Sequence, residues 1–287
     1  MTLKTLDDAR ALTGRLRPGR RLVVVGGGFL GTETAWTALS MGCEVTLVAS
    51  TPTVLPGLGR QVGSLAGERL AAAGAAVRTG VAVETVRQVD GLPGNGDGDG
   101  DGDLEVLLDD GTRLPAETVL TAIGSAPDVG WCAAAGLDLS DGIRCDAADR
   151  AASGVHACGD VAASYRPPRG RHLRLEHRTH AGDQARVVAA DLLGEHREPD
   201  RAPFFRTNQG PHKIVVHGLI TPEAEFEAHE VDTEHDRLAG VYRADGRVCA
   251  VLGWNAPKQV LRLRRELLTG SGPASVSPPL AGAPKPG

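Results

Sequence analysis

The apolar positions of this chain follow two periods, and the switch between them marks out its parts. Leu6, Ala9, Leu12 and Leu16 recur at helical spacing behind the capping-box pair Thr5 and Asp8, which predicts a short lead helix over residues 5–16. Residues 22–25 are a continuous apolar run, as in a parallel strand covered on both faces, and the run ends in Gly26-Gly27-Gly28. Residues 30–41 read as a helix stopped by Gly42, and 45–49 as a second buried strand, which completes a βαβ unit. A helix over about 61–73 and a strand over 75–79 continue the alternation of an α/β sheet.

Beyond residue 80 the pattern changes. Residues 81–89, 104–108 and 118–123 read as strands, with Asp110-Gly111 as a hairpin turn. Between the first two lies the low-complexity stretch 94–103, GNGDGDGDGD, which reads as a solvated loop because it lacks the apolar positions of a calcium-binding nonapeptide repeat. Strand and turn signals over 142–161 end in Val155-His156-Ala157-Cys158-Gly159-Asp160. A long helix over 179–193 follows, with Ala181, Ala185, Val188 and Leu192 on one face. From about 203 the chain turns β-rich, at 213–217, 225–231, 239–243 and 248–252, and then closes with a helix over 257–268 that turns Val260, Leu263 and Leu267 inward. Residues 269–287, rich in Pro, Gly and Ser, read as a disordered tail.

Composition narrows the class without naming a substrate. The 287 residues are 41% hydrophobic and 23% charged, enough for two or three packed units. A net charge of -5 gives no global attraction to nucleic acid or an anionic membrane. The five cysteines are scattered singly, with no C-x-x-C pair, and no apolar run reaches the ~18 residues of a membrane span, so a reducing cytoplasm is the expected location.

Gly26-x-Gly28-x-x-Gly31 follows a buried strand and opens a helix, the context in which this motif marks a dinucleotide site. Gly26 permits the tight turn, Gly28 lets the backbone approach a pyrophosphate, and Gly31 lets helix and strand pack closely; the helix N-terminus, with Gly27, Phe29 and Leu30, offers N–H groups to the anion. At the end of the second strand, where NAD-specific units carry an acid for the ribose 2′-hydroxyl, stands Ala49. No arginine lies beside it to grip a 2′-phosphate, so the choice between NAD and NADP stays open.

GGGFLGTETA, LTAIGSAPD, GVHACGDVAA, RLEHRTHAGDQA and NAPKQVLRLRREL follow one another in this chain. In that order they resemble the ferredoxin-reductase type of FAD/NAD(P)-dependent oxidoreductase, over about residues 4–268. The resemblance implies an α/β fold: a lead helix and linker (1–20), a Rossmann-type NAD(P)-binding domain (21–125), part of an FAD-binding domain (126–200) and a small C-terminal α+β domain (201–268). It places Gly124 by the same nucleotide as the glycine motif, and Glu33 near nicotinamide and flavin; read by itself, Glu33 is equally a first-turn carboxylate favoured by the helix dipole. Asp160, after Gly159, matches the residue that binds the ribitol of FAD, with Glu176 in the next flavin-side segment. Implied are the cofactors NAD(P)H and FAD, electron transfer to a ferredoxin-like iron–sulfur protein, and no C-x-x-C dithiol chemistry.

Departures from that pattern set the remaining expectations. The family binds the ADP part of FAD through an earlier glycine fingerprint, and only residues 1–4 precede the lead helix. The expected FAD site is therefore incomplete, and the chain is expected to be a truncated or split form served by a separate FAD-binding half, the alternative being a noncatalytic NAD(P)-binding module or partner subunit. Arg178 and Arg206 stand where the family usually has tryptophan. Arg166, Arg169, Arg171, Arg174 and Arg178 form a basic stretch that is either a docking patch for an acidic ferredoxin or an ordinary solvated loop. His172, Glu176, His177 and His180 are close in sequence but read as solvated residues rather than a metal site, and Cys158 reads as a small core residue rather than a nucleophile.

Overall fold

The structure, a computed structural model, describes residues 1–89, 103–167, 170–199 and 202–269. The low-complexity residues 94–102 and the tail beyond 269 lie outside the described residues. The chain divides into two compact units, Met1–Gly124 with Thr207–Lys213, and Ser125–Arg206 with the rest of the chain from Ile214.

In the first unit, α1 (Leu6–Arg15) carries the predicted capping box: Asp8 N–H donates to Thr5 Oγ1 at 3.1 Å, and Thr5 N–H donates to the Asp8 carboxylate at 2.8 Å. β1 (Arg21–Val25), α2 (Phe29–Ser40), β2 (Glu44–Ala49), α3 (Gly59–Ala72) and β3 (Ala76–Thr79) follow. Next comes an antiparallel meander of β4 (Val83–Gln88), β5 (Leu104–Leu108) and β6 (Arg113–Ala116), and then β7 (Thr118–Thr121). The parallel sheet has the order β3-β2-β1-β7, with β1 in register Leu22 to Val45 on one side and Leu22 to Thr118 on the other. Leu22, Val23 and Val24 are all buried, as a central parallel strand requires, and each such side chain contributes about 1.5–3 kcal/mol through removal from water. β6 is the strand of this unit that hydrophobic pattern did not mark, because Arg113-Leu114-Pro115-Ala116 offers only half an alternation and contains proline.

The second unit begins with short strands: β8 (Ile143–Cys145), β9 (Arg150–Ala152), β10 (Val155–His156), β11 (Ala162–Arg166) and β12 (Arg171–Leu173). α4 (Arg178–Leu192) is followed by a five-stranded antiparallel sheet of order β13-β14-β17-β16-β15, made from β13 (Phe204–Gln209), β14 (His212–Gly218), β15 (Glu225–Asp232), β16 (Arg237–Ala244) and β17 (Arg247–Trp254). α5 (Pro257–Thr269) packs Val260 and Leu263 against Ala239, Val241 and Val251, the inward face expected from its spacing. The turn residues Thr207–Lys213 of the β13–β14 hairpin group with the first unit.

α4 corrects one expectation. Its buried residues are His180, Gln184 and Val187, whereas Ala185 and Leu192 of the predicted inward face are exposed. The helix is turned by polar demand: Gln184 is fully buried, its Nε2 donates to Ser164 Oγ at 2.7 Å, and its Oε1 accepts the Gly159 N–H at 2.9 Å. A buried amide with both ends satisfied outweighs a stripe of small alanines that have little area to hide.

Candidate functional site

In the first unit, the turn after β1 is built from glycines that do different jobs. Gly26 has φ +117, its N–H donates to Val48 O at 2.8 Å, and a Cβ on it would lie 2.2 Å from Ala122 O just beyond β7. Gly31 faces back on the same turn, where a Cβ would meet Gly26 O at 2.0 Å. These two are glycine because backbone occupies the space. Gly28 is the contrary case: it is the N-cap of α2, no side chain caps the helix there, and a Cβ would find nothing within 4 Å. The open space therefore lies over Gly28, at the N-terminal turn of the helix, where no side chain caps the backbone N–H groups and no acidic residue competes with an anion. That is a cradle fitted to a diphosphate.

Its surroundings agree with the sequence in part. Phe29 and exposed Leu30 begin α2. Gly124, at φ +111 with open space around it, stands two residues past Ala122, so the end of β7 flanks the turn. Ala49 ends β2 as expected, but its methyl is buried directly beneath Gly27, where an added Cβ would lie 2.8 Å from it. Glu33 is half-buried, and its Oε1 accepts hydrogen bonds from the Thr207 hydroxyl and, at 3.3 Å, from the Asn208 N–H. No local pattern points to that pairing, since Thr207 lies 174 positions after Glu33.

In the second unit, Gly159 (φ +87) is fixed to Gln184, and the exposed Asp160 follows it. Arg174 Nη1 donates to Asp160 O at 3.2 Å and to Glu176 Oε1, while its Nε donates to Asp141 at 2.9 Å. Ser125 donates to the other oxygen of Glu176 at 3.1 Å. Glu176, expected at the cofactor, thus has both oxygens engaged by protein groups. His177 caps α4 without a side-chain bond and stacks on Phe205 with ring centroids 4.4 Å apart. Burial pushes its pKa below the usual histidine value, against the opposing pull of its hydrogen bond to the Glu176 backbone and the charges of Asp160 and Glu176.

Toward a flavin, these residues fit only one end. Asp160 on an exposed loop and an uncapped α4 N-terminus suit a polyol and a polar ring edge, but the one Gly-x-Gly-x-x-Gly turn in the sequence is already the cradle of α2. A second diphosphate has no equivalent seat among the described residues.

Two further expectations are corrected. Arg166 does not belong to a surface patch: it is 9% exposed, 4.0 Å from the buried Asp149 carboxylate and 3.5 Å from His180, because β11 points its side chain into the unit. Arg174 is held in ion pairs, Arg171 is exposed, and Arg169 lies outside the described residues. Cys158 is exposed rather than a core residue, since the turn that follows β10 carries it outward. Among the described residues no three His, Cys, Asp or Glu side chains converge as a metal site. The unit also holds a cavity of about 1000 Å³, lined by Tyr165, Arg166, Leu173, Val187 and Leu219 among others; neither Asp160 nor Glu176 lines it. Among the described residues no helix is long and apolar enough to cross a membrane.

Comparison with known proteins follows the same lines. Residues 1–185 match the profile of the pyridine nucleotide-disulphide oxidoreductase family. The chain is similar to the ferredoxin reductase component of a chlorobenzene dioxygenase from Cupriavidus sp. (strain PS12), 35% identical over 90% of this chain and 60% of that protein. It is similar also to the putidaredoxin reductase of Pseudomonas putida, 35% identical over 76% of this chain and 50% of the other. Among solved structures it resembles a ferredoxin reductase from Rhodopseudomonas palustris, with a TM-score of 0.84 at 29% identity over 95% of this chain and 65% of that one. The chain thus spans 50–65% of the length of these proteins. With the family profile covering well over half of the chain, it belongs to the pyridine nucleotide-disulphide oxidoreductase family.

Proposed function

We propose that this chain is the NAD(P)H-binding part, with a portion of the flavin-binding part, of a ferredoxin-reductase type oxidoreductase. The observation that carries the reading is the empty space over Gly28 at an uncapped, acid-free helix N-terminus, framed by two glycines whose Cβ positions are filled by backbone. In this role the N–H groups of Gly28, Phe29 and Leu30 hold the nucleotide diphosphate, Gly27 and Ala49 shape the side toward the adenosine ribose, and Gly124 flanks the other side. Glu33, about 7–8 Å along the helix axis from Gly28, lies on the nicotinamide side. Asp160, with Gly159, takes the ribitol of FAD, while Glu176 orders the loop through Arg174 rather than touching the cofactor. Bound flavin supplies hydride acceptance from reduced nicotinamide and single-electron delivery to a ferredoxin-like iron–sulfur protein. Among the described residues one diphosphate cradle is present, so the pyrophosphate of FAD takes its donors from residues other than these. Among the described residues, exposed Arg171 and Arg178 are the cations of the basic stretch offered to an acidic partner.

The reading is tested by the visible spectrum and by NADH-dependent reduction of ferricyanide. The chain alone is expected to be colourless with little turnover; adding the N-terminal flavin-binding half of a related reductase is expected to produce yellow colour and activity. Stoichiometric FAD retained by the chain alone through gel filtration would overturn the incomplete-site reading.

A further inference from the structure

The turn between β13 and β14 is unusually polar for how deeply it is buried: Thr207, Gln209 and His212 are 4%, 1% and 9% exposed. Polar groups removed from water are costly unless bonded, so the bonds they make indicate what the turn is for. Gln209 Nε2 donates to Thr207 Oγ1 at 2.8 Å, and the Thr207 hydroxyl passes its own hydrogen to Glu33 Oε1. The Asn208 N–H donates to the same oxygen. A directed chain of donors thus ends on one oxygen of one carboxylate.

A second anchor lies one helical turn further along the same face of α2, where residues three apart are neighbours. The Trp36 ring meets the edge of His212 with centroids 5.4 Å apart. Gly210, at φ +59, is pressed so close that a Cβ would fall 2.4 Å from Trp36 Cε3. The turn is therefore seated on the Glu33–Trp36 stripe of the helix whose N-terminus forms the cradle.

We propose that the turn formed by residues 207–212 is a positioning element for the nucleotide, with Thr207 acting through Glu33. Its hydroxyl and the Asn208 N–H fix Oε1 and so orient the carboxylate, which presents an acceptor to a primary amide donor such as the carboxamide of nicotinamide. The inference rests on the reading of Glu33 as a nucleotide contact. Trp36 and Gly210 set the height of the turn above the helix, so the acceptor is held before ligand arrives and its ordering is not charged against binding.

The test is calorimetric titration of the full chain with NADH, for wild type, Gly28→Asp, Glu33→Gln, Thr207→Val, Thr207→Ser and the Glu33→Gln/Thr207→Val double variant, each first checked for cooperative thermal unfolding. Thr207→Val is expected to weaken NADH by about tenfold and Thr207→Ser to stay within about twofold of wild type, because serine keeps the donor. In the double variant, valine is expected to cost nothing beyond the loss from Glu33→Gln, a coupling that a merely structural threonine would not show. Should Thr207→Val fail to fold, Gly210→Ala, which lifts the turn off Trp36, is expected to give a comparable loss that vanishes in the Glu33→Gln background. Unchanged affinity in Thr207→Val beside a weakened Glu33→Gln would overturn the positioning role while leaving Glu33 a contact. Additive losses would likewise overturn it. Unchanged affinity in Glu33→Gln, with Gly28→Asp abolishing binding, would remove Glu33 as a contact and the inference with it.

Discussion

Gly28 and Gly31 belong to one motif, yet the structure predicts that adding a methyl group to each will fail in opposite ways. In Gly31→Ala the new Cβ would sit 2.0 Å from Gly26 O, a full ångström inside the 3.0 Å that real Cβ atoms keep. Val24 Cγ1 at 3.4 Å closes the other side, so the helix must shift away from β1. Overpacking of this kind costs about 1–3 kcal/mol, and with backbone as the obstacle the upper end applies. For a chain of this size that corresponds to a fall of roughly 6–12 °C in Tm, if the units unfold together. In Gly28→Ala the methyl enters open space, and the only structural loss is the small preference of an N-cap for glycine over alanine, a few tenths of a kcal/mol to about 1. The same methyl, however, stands where a diphosphate must approach the backbone, and binding is expected to weaken by at least about tenfold, or 1.4 kcal/mol. Thermal melts by circular dichroism and NADH titration by fluorescence separate the two. A Gly28→Ala variant with a large drop in Tm and unchanged affinity would refute the division of labour read from the two Cβ positions.

Other consequences are equally direct. Mild alkylation of the native protein is expected to label Cys158 first and to spare buried Cys43, Cys132 and Cys145, the last also held as a thiol by burial that raises its pKa to about 11; peptide mapping by mass spectrometry reads the order. Gln184→Ala leaves Ser164 and the Gly159 N–H short of a partner and is expected to cost about 1–3 kcal/mol, seen as a lower midpoint in urea. For His177 burial lowers the folded pKa below 6.5, so the unfolded chain takes up the proton first; its contribution is full above pH 6.5 and is lost as pH falls from 6.5 through the folded value. His177→Gln is expected to flatten that slope of stability with pH, and an unchanged slope would place its origin elsewhere.

How much of this was legible in the sequence differs between the two units. The cradle was legible because its signal is local: glycines at fixed spacing between an apolar run and a helix describe a turn almost completely. The capping box of α1 and the inward face of α5 were legible for the same reason. What failed depended on partners far along the chain. The inward face of α4 follows Gln184 and its bonds to Ser164 and Gly159, which no periodicity of apolar residues could reveal. Arg166 reads as one of a surface cluster until β11 turns it toward Asp149. Glu33 was picked out, but by resemblance, and its link to Thr207 arises only when the hairpin turn is brought onto α2. Cys158 was misjudged because a small apolar neighbourhood suggests a core, whereas the irregular segment after β10 brings it to the surface just ahead of the positive-φ Gly159.

The central claim is that one dinucleotide binds at the N-terminus of α2, and the measurement that tests it most directly is calorimetric titration of the purified chain with NADH and NADPH, repeated on Gly28→Asp. Saturable binding of one equivalent per chain is expected for at least one of the two nucleotides, and no detectable heat in the folded Gly28→Asp variant, where a carboxylate occupies the anion position. Binding of equal affinity in wild type and Gly28→Asp, or a folded wild-type chain that takes up neither nucleotide, would contradict it.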